Sequence, residues 1–142
     1  MIVCADTSFV ASLYAEEEHS AEADRRMGTG VSVYLTPLNR VELAHAFSLQ
    51  VFRARITERR ARALWQQFAQ DCLHGVWLEV DLPDRAWQTC VDLAHRYGPA
   101  YGVRTLDSLH VATALELGAE KFWTFDERQA RLAEAVGLAV SA

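Results

Sequence analysis

Four acids in this chain stand where a carboxylate can do chemistry. Asp6, in VCADTSF, directly follows a short apolar run, and Asp126, in KFWTFDER, follows another in the same manner. Glu42 lies in LNRVELAHAF, and Asp107 in RTLDSLHVATALELGA. The apolar positions of that last segment, Leu106, Leu109, Val111, Ala112, Ala114, Leu115 and Leu117, describe a helix apolar around most of its circumference. An ionised carboxylate buried on such a helix is costly unless something pairs with it. Each acid has an ordinary explanation as a turn residue, cap or surface charge; Thr105, for instance, is a candidate N-cap with Asp107 drawn to the positive helix end. Those explanations do not account for four acids falling near strand ends or the starts of helices. Brought within a few ångströms of one another, the four would raise each other's pKa values unless a cation accounted for the site. Oxygen ligands alone suit a hard divalent ion, Mg²⁺ or alternatively Mn²⁺, and no cysteine or histidine grouping points to zinc. An ion held this way activates water and neutralises charge developing on a phosphate, which is the chemistry of phosphodiester hydrolysis.

Other polar groups lie close by in sequence. Ser8 and Thr124 stand two residues from Asp6 and Asp126, where a hydroxyl can serve a carboxylate or a substrate phosphate. Arg104 is near enough to the acids to approach a scissile phosphate. His110 lies one turn beyond Asp107, and its apolar helix favours a core histidine over a group reaching toward that acid. Asn39 and Arg40 read as first-turn surface residues near Glu42. The net charge of −5 argues against coating nucleic acid by bulk charge but allows a local basic surface. Thirteen of the 14 basic residues are arginine, and Arg53, Arg55, Arg59, Arg60 and Arg62 cluster in FRARITERRAR. That cluster fits an RNA-facing patch, a solvated helix face or a dock for an acidic partner.

The elements that must position these groups alternate. IVCA is a first strand, SFVASLYAEEEH a helix whose acidic end is solvated, ADRRMGTG a polar connection and VSVYL a second strand. Thr36 before Pro37 opens the helix LNRVELAHAFSLQVF, and Thr57 caps ERRARALWQQFAQDCL. VWLEV is a third strand, Asp84 starts RAWQTCVDLAHRYG, KFWTF is a fourth strand, DERQARLAEAVG a last helix and LAV a terminal strand. Strands separated by helices predict one α/β domain over residues 1–142 with a mostly parallel sheet, and in such folds ligands gather outside the C-terminal strand ends. Cys4, Cys72 and Cys90 are widely spaced and odd in number, and no apolar run is long enough to span a membrane, so a cytoplasmic protein is expected.

Taken together, VCADTSFVASLY, LNRVELAHAF, YGVRTLDSLHVATALELGA and KFWTFDERQARLAEAVGL resemble the PIN-domain nucleases, especially VapC-type toxins of toxin–antitoxin pairs, in order, in spacing and over almost the full chain. The resemblance implies a PIN-like three-layer sandwich with a mostly parallel central sheet and helices on both faces. It passes to Asp6, Glu42, Asp107 and Asp126 the role of binding Mg²⁺ or Mn²⁺ for RNA hydrolysis, to Thr124 that of an assisting hydroxyl, and to Ser8 that of a helper. It also implies a homodimer and a small cognate antitoxin whose C-terminal portion blocks the acidic groove. The apolar Val41, Ala44, Phe47, Leu49, Val51 and Phe52 exceed what a solvent-facing helix needs, so part of this helix is expected to be interface. The rival readings are weaker. A phosphoacceptor domain needs a lysine after its last strand, whereas the sole lysine, Lys121, opens KFWTF. A phosphatase of the aspartyl-nucleophile kind needs a second aspartate where Ser8 stands. A non-catalytic RNA-binding or partner-binding module with the same fold is the remaining alternative.

Overall fold

The computed structural model describes residues 1–141. Four short strands, β1 (Val3–Ala5), β2 (Val33–Leu35), β3 (Trp77–Glu79) and β4 (Lys121–Trp123), form one parallel sheet in the order β3-β2-β1-β4. Side chains alternate across it, as strand geometry requires. Val3, Ala5, Val33, Leu35, Trp77 and Trp123 face one core with helices α1 (Thr7–Ser12), α2 (Ser20–Met27), α3 (Pro37–Phe52) and α4 (Glu58–Leu73). Cys4, Tyr34 and Phe122 face the other, under α5 (Ala86–Tyr101), α6 (Thr105–Glu116) and α7 (Glu127–Ala135). The chain is therefore an α/β sandwich with helices on both faces of a parallel sheet, as expected. Burial pushes the Cys4 thiol up to about 12, so it is an inert part of the second core.

Several local expectations need correction. SFVASLYAEEEH is not one helix: α1 ends at Ser12, and α2 begins at Ser20 and runs into the stretch ADRRMGTG read as a polar connection. The Ser20 hydroxyl donates to the Ser12 carbonyl (2.7 Å) and accepts the Glu17 N–H (3.0 Å), tightening the turn that holds the acidic run. The buried face of α2 is narrow, resting on Ala23 and the stem of Arg26, so surrounding charges conceal its periodicity. Arg85, not Asp84, precedes α5, and that helix runs on through Pro99 to Tyr101, where Gly102 at φ 62° closes it. Arg104, not Thr105, occupies the N-cap of α6, without a side-chain cap. LAV forms no strand, only an isolated bridge between Ala139 and Lys121. Among the described residues no helix is long and apolar enough to cross a membrane.

Candidate active site

The sheet order makes β1 and β4 neighbours whose onward connections diverge, so a crevice opens at their C-terminal ends. Asp6 enters it first. Its N–H donates to the Trp123 carbonyl (3.1 Å), and its carboxylate caps α1 by accepting the Phe9 N–H (3.0 Å). The Ser8 hydroxyl reaches both Asp6 oxygens, at 2.7 and 2.8 Å, and Thr124 Oγ1 lies 2.8 Å from Oδ2. Only 5% of Asp6 is exposed, and burial pushes its carboxyl above the usual range against the pull of Phe9, Ser8, Thr124 and the charge of His110.

Opposite Asp6 stands Thr124 rather than Asp126, because Ala5 pairs with Trp123 in the sheet. Asp126 comes two residues later and caps α7 by accepting the Gln129 N–H (2.9 Å), while its own N–H donates to Thr124 Oγ1 (3.0 Å). Gln129 is fully buried and was missed by sequence reading. Its Nε2 donates to the Asp107 carbonyl (3.1 Å), which turns its Oε1 toward Thr124 Oγ1 (2.8 Å). Thr124 thus has one proton for two acceptors, Asp6 and Gln129. The D-x-x-Q spacing of a helix start was the available signal, since an N3 glutamine commonly belongs to a capping pair.

Glu42 is held from two sides. The Thr7 hydroxyl donates to Oε1 (2.8 Å), and His110 Nε2 bonds the same oxygen. Burial raises the Glu42 carboxyl, but the bond and charge of His110, with the Thr7 hydroxyl, outweigh it and hold the group below the usual range. His110 is buried as expected, yet its partner is Glu42 on α3 rather than Asp107 on its own helix. Beside Glu42 the packing is one-sided: Leu43 is buried, whereas Val41 and Ala44 are exposed.

Asn39 also departs from its reading as a surface residue. Its Oδ1 accepts the Thr36 N–H (3.0 Å) in a capping box, and its Nδ2 donates to the Ala5 carbonyl (3.0 Å), tying the start of α3 to the end of β1. Arg40, half-buried, pairs with Glu79 (2.8 Å).

Asp107 is half-buried and paired with Arg104 at 3.4 Å. Burial foremost raises its carboxyl; Arg104 and His110 lower it, and the charge of Asp126 raises it further. Asp107 and Asp126 line one cavity of about 350 Å³ with Arg104, Glu127 and Arg128. Bonds therefore join Asp6, Thr124 and Asp126, a shared cavity joins Asp107 to Asp126, and Thr7 and His110 link Glu42 to the residues beside Asp6 and Asp107. The donors are all oxygen, which suits a hard divalent ion in kind. Among the described residues, however, no group of three or more His, Cys, Asp or Glu side chains is arranged to hold one ion.

The arginine cluster lies elsewhere. Arg53, Arg55, Arg59, Arg60 and Arg62 are exposed around the α3–α4 turn, and the helical rise from Glu42 to Arg53 is roughly 16 Å. Arg62 borders an apolar groove with Ala44, Phe47, Ala61 and Trp65. Phe47 is core, whereas Val41, Leu49 and Phe52 are 55%, 41% and 87% exposed.

Comparison with known proteins adds a family. The PIN domain profile matches residues 3–135. No curated protein matches the chain. Among solved structures, FitAcB from Neisseria gonorrhoeae is similar at 16% identity and TM-score 0.74, covering 100% of this chain and 97% of that one. VapC20 of Mycobacterium tuberculosis, described as a Sarcin-Ricin loop cleaving toxin, is similar at 18% identity and TM-score 0.71, with 99% of each chain covered. VapBC2 from Rickettsia felis, bound to a DNA fragment from its promoter, is similar at 12% identity and TM-score 0.70, covering 99% of this chain and 98% of that one. At these identities the likeness is one of fold.

Proposed function

The chain belongs to the PIN-domain family, and from that premise we propose that it is a metal-dependent endoribonuclease, the toxin of a toxin–antitoxin pair. The observation that carries the reading is a pair of acids whose ionisation the fold opposes: Asp6 is buried at the crevice, and Asp107 is raised by burial and by neighbouring Asp126. Carboxylates held so are costly to ionise without a cation to share. Asp6, Glu42, Asp107 and Asp126 would hold the ion, Mg²⁺ or Mn²⁺. When bound, it supplies charge neutralisation at the phosphate and lowers the pKa of water. The protein's own part is positioning. Thr124 and Ser8 orient Asp6, Thr7 and His110 orient Glu42, and Gln129 ties the backbone at Asp107 to the end of β4.

The partners that follow are an RNA substrate, a cognate antitoxin and a second copy of the chain; the toxin–antitoxin structures sharing the fold support an antitoxin in general terms. The absence, among the described residues, of any three side chains poised around one ion favours the second reading, a non-catalytic binding module. Mapping cleavage sites in total cellular RNA with wild type and Asp6→Asn, with Mg²⁺ and with chelator, separates the two. The nuclease gives metal-dependent cuts with 5′-phosphate and 3′-hydroxyl ends that Asp6→Asn abolishes. Cyclic phosphate ends persisting in chelator, or no Asp6-dependent cut, overturn it.

A further inference from the structure

We infer that Arg104 and Arg128 form a phosphate clamp across the cavity that holds Asp107 and Asp126, gripping the RNA backbone beside the carboxylates. The inference rests on the nuclease reading and assigns the substrate contact which that reading leaves open, since none of the arginines of the α3–α4 turn lines the cavity that holds Asp107 and Asp126.

Three observations converge. Arg104 and Arg128 line the same cavity of about 350 Å³ together with three acids, Asp107, Asp126 and Glu127. That volume is at the small end of the range for pockets that take small ligands, roughly 300–1,000 Å³, and suits one sugar–phosphate unit rather than a folded peptide. Both guanidinium groups are exposed and free to turn: Arg104 makes one long ion pair with Asp107, at 3.4 Å with 76% of its side chain exposed, and Arg128 makes none among the described residues. Both also stand where helix electrostatics disfavour a cation, Arg104 at the N-cap of α6 and Arg128 in the first turn of α7. Among the described residues Arg128 makes no side-chain hydrogen bond or ion pair, and the one side-chain bond of Arg104 is its long pair with Asp107, inside the cavity itself. Guanidinium forks match phosphate oxygens, and placed over a carboxylate floor they hold an anion where the acids alone would repel it.

The test measures binding of a short fluorescein-labelled single-stranded RNA by anisotropy, with Mg²⁺, over a range of salt, in the Asp6→Asn background so that no cleavage intervenes. Arg128→Gln is expected to weaken binding at least about fivefold and to reduce the slope of log affinity against log salt by about 0.7, the value for one lost phosphate contact on a single strand. Arg104→Gln behaves alike. Arg128→Lys keeps the slope while recovering only part of the affinity, because lysine retains the charge without the fork. An Arg128→Gln protein with the parent's affinity and slope overturns the clamp, as does a parent that binds no RNA. Unchanged RNA binding with weakened capture of an acidic protein partner overturns it too. Wild-type cleavage is scored in parallel: normal metal-dependent cutting with an unaltered slope sinks the clamp alone, whereas a reduced slope without any cutting leaves the clamp standing and sinks the nuclease reading.

Discussion

Replacing Asp6 by asparagine in protein freed of divalent ions is expected to raise stability at neutral pH, although the same change is expected to abolish the proposed nuclease activity. The wild-type carboxylate is almost fully buried and accepts from Phe9, Ser8 and Thr124, but Thr124 has a single proton that Gln129 also claims. An asparagine of the same shape keeps an oxygen for the Phe9 N–H and offers its amide to Thr124 Oγ1, freeing the Thr124 proton for Gln129. The exchange adds about one satisfied hydrogen bond and removes a buried charge, together about 1–2 kcal/mol. For a chain of this size that corresponds to a melting point roughly 3–6 °C higher. The pH course follows from the direction of the shift. The folded-state pKa of Asp6 lies above its unfolded value, so the wild-type penalty is absent below the unfolded value, near pH ~3.9. It grows as pH rises between the two values and is complete above the folded one, and the advantage of the variant develops over the same interval. Differential scanning calorimetry of both proteins in chelator, from acid to neutral pH, reads this directly. Added Mg²⁺ should then stabilise wild type by mass action and leave the variant unmoved. An Asp6→Asn protein that melts below wild type at neutral pH in chelator would refute the account of Asp6 as a strained, cation-seeking group.

Gln129→Leu, which strips the buried links to Thr124 and the Asp107 carbonyl, should cost about 2–4 kcal/mol in urea unfolding; a loss under about 1 kcal/mol would mean that the network is dispensable. Glu42→Gln should destabilise most at neutral pH. The folded pKa of Glu42 is depressed, so its pairing with His110 contributes above the unfolded carboxylate value and is lost as pH falls through the folded one; a deficit independent of pH contradicts that pairing. Ala54 sits at φ 56° just past the end of α3, where glycine is at ease, so Ala54→Gly should stabilise by up to about 1 kcal/mol in the same unfolding assay. Phe52→Ser should change monomer stability by less than about 0.5 kcal/mol, because the ring is 87% exposed; its effect should be confined to association, read by sedimentation.

What the sequence determined by itself were the features set by local chemistry. Alternating strand and helix patterns, the Thr36–Pro37 start, the strand-end place of Asp6 and the apolar circumference of the Asp107 helix depend on residues a few positions apart, and they sufficed for the parallel α/β sandwich. Where that patterning was diluted by charge, as in α2, or where the helix after Asp84 was ended at Gly98 although it continues through Pro99, the reading erred. The partners of the acids were another matter. Thr7 and Glu42 are 35 residues apart, His110 and Glu42 are 68 apart, and Thr124 and Asp6 are 118 apart. Each of these contacts exists only because the sheet order places β1 between β2 and β4. No single-helix pattern reveals that Asn39 faces the end of β1, that Gln129 is wholly buried, or that the arginine cluster stays off the cavity of Asp107 and Asp126. Hydrogen bonds between distant segments are selected by the packing of whole elements, and so tertiary structure alone decided which oxygen each acid presents, to whom, and at what cost in charge.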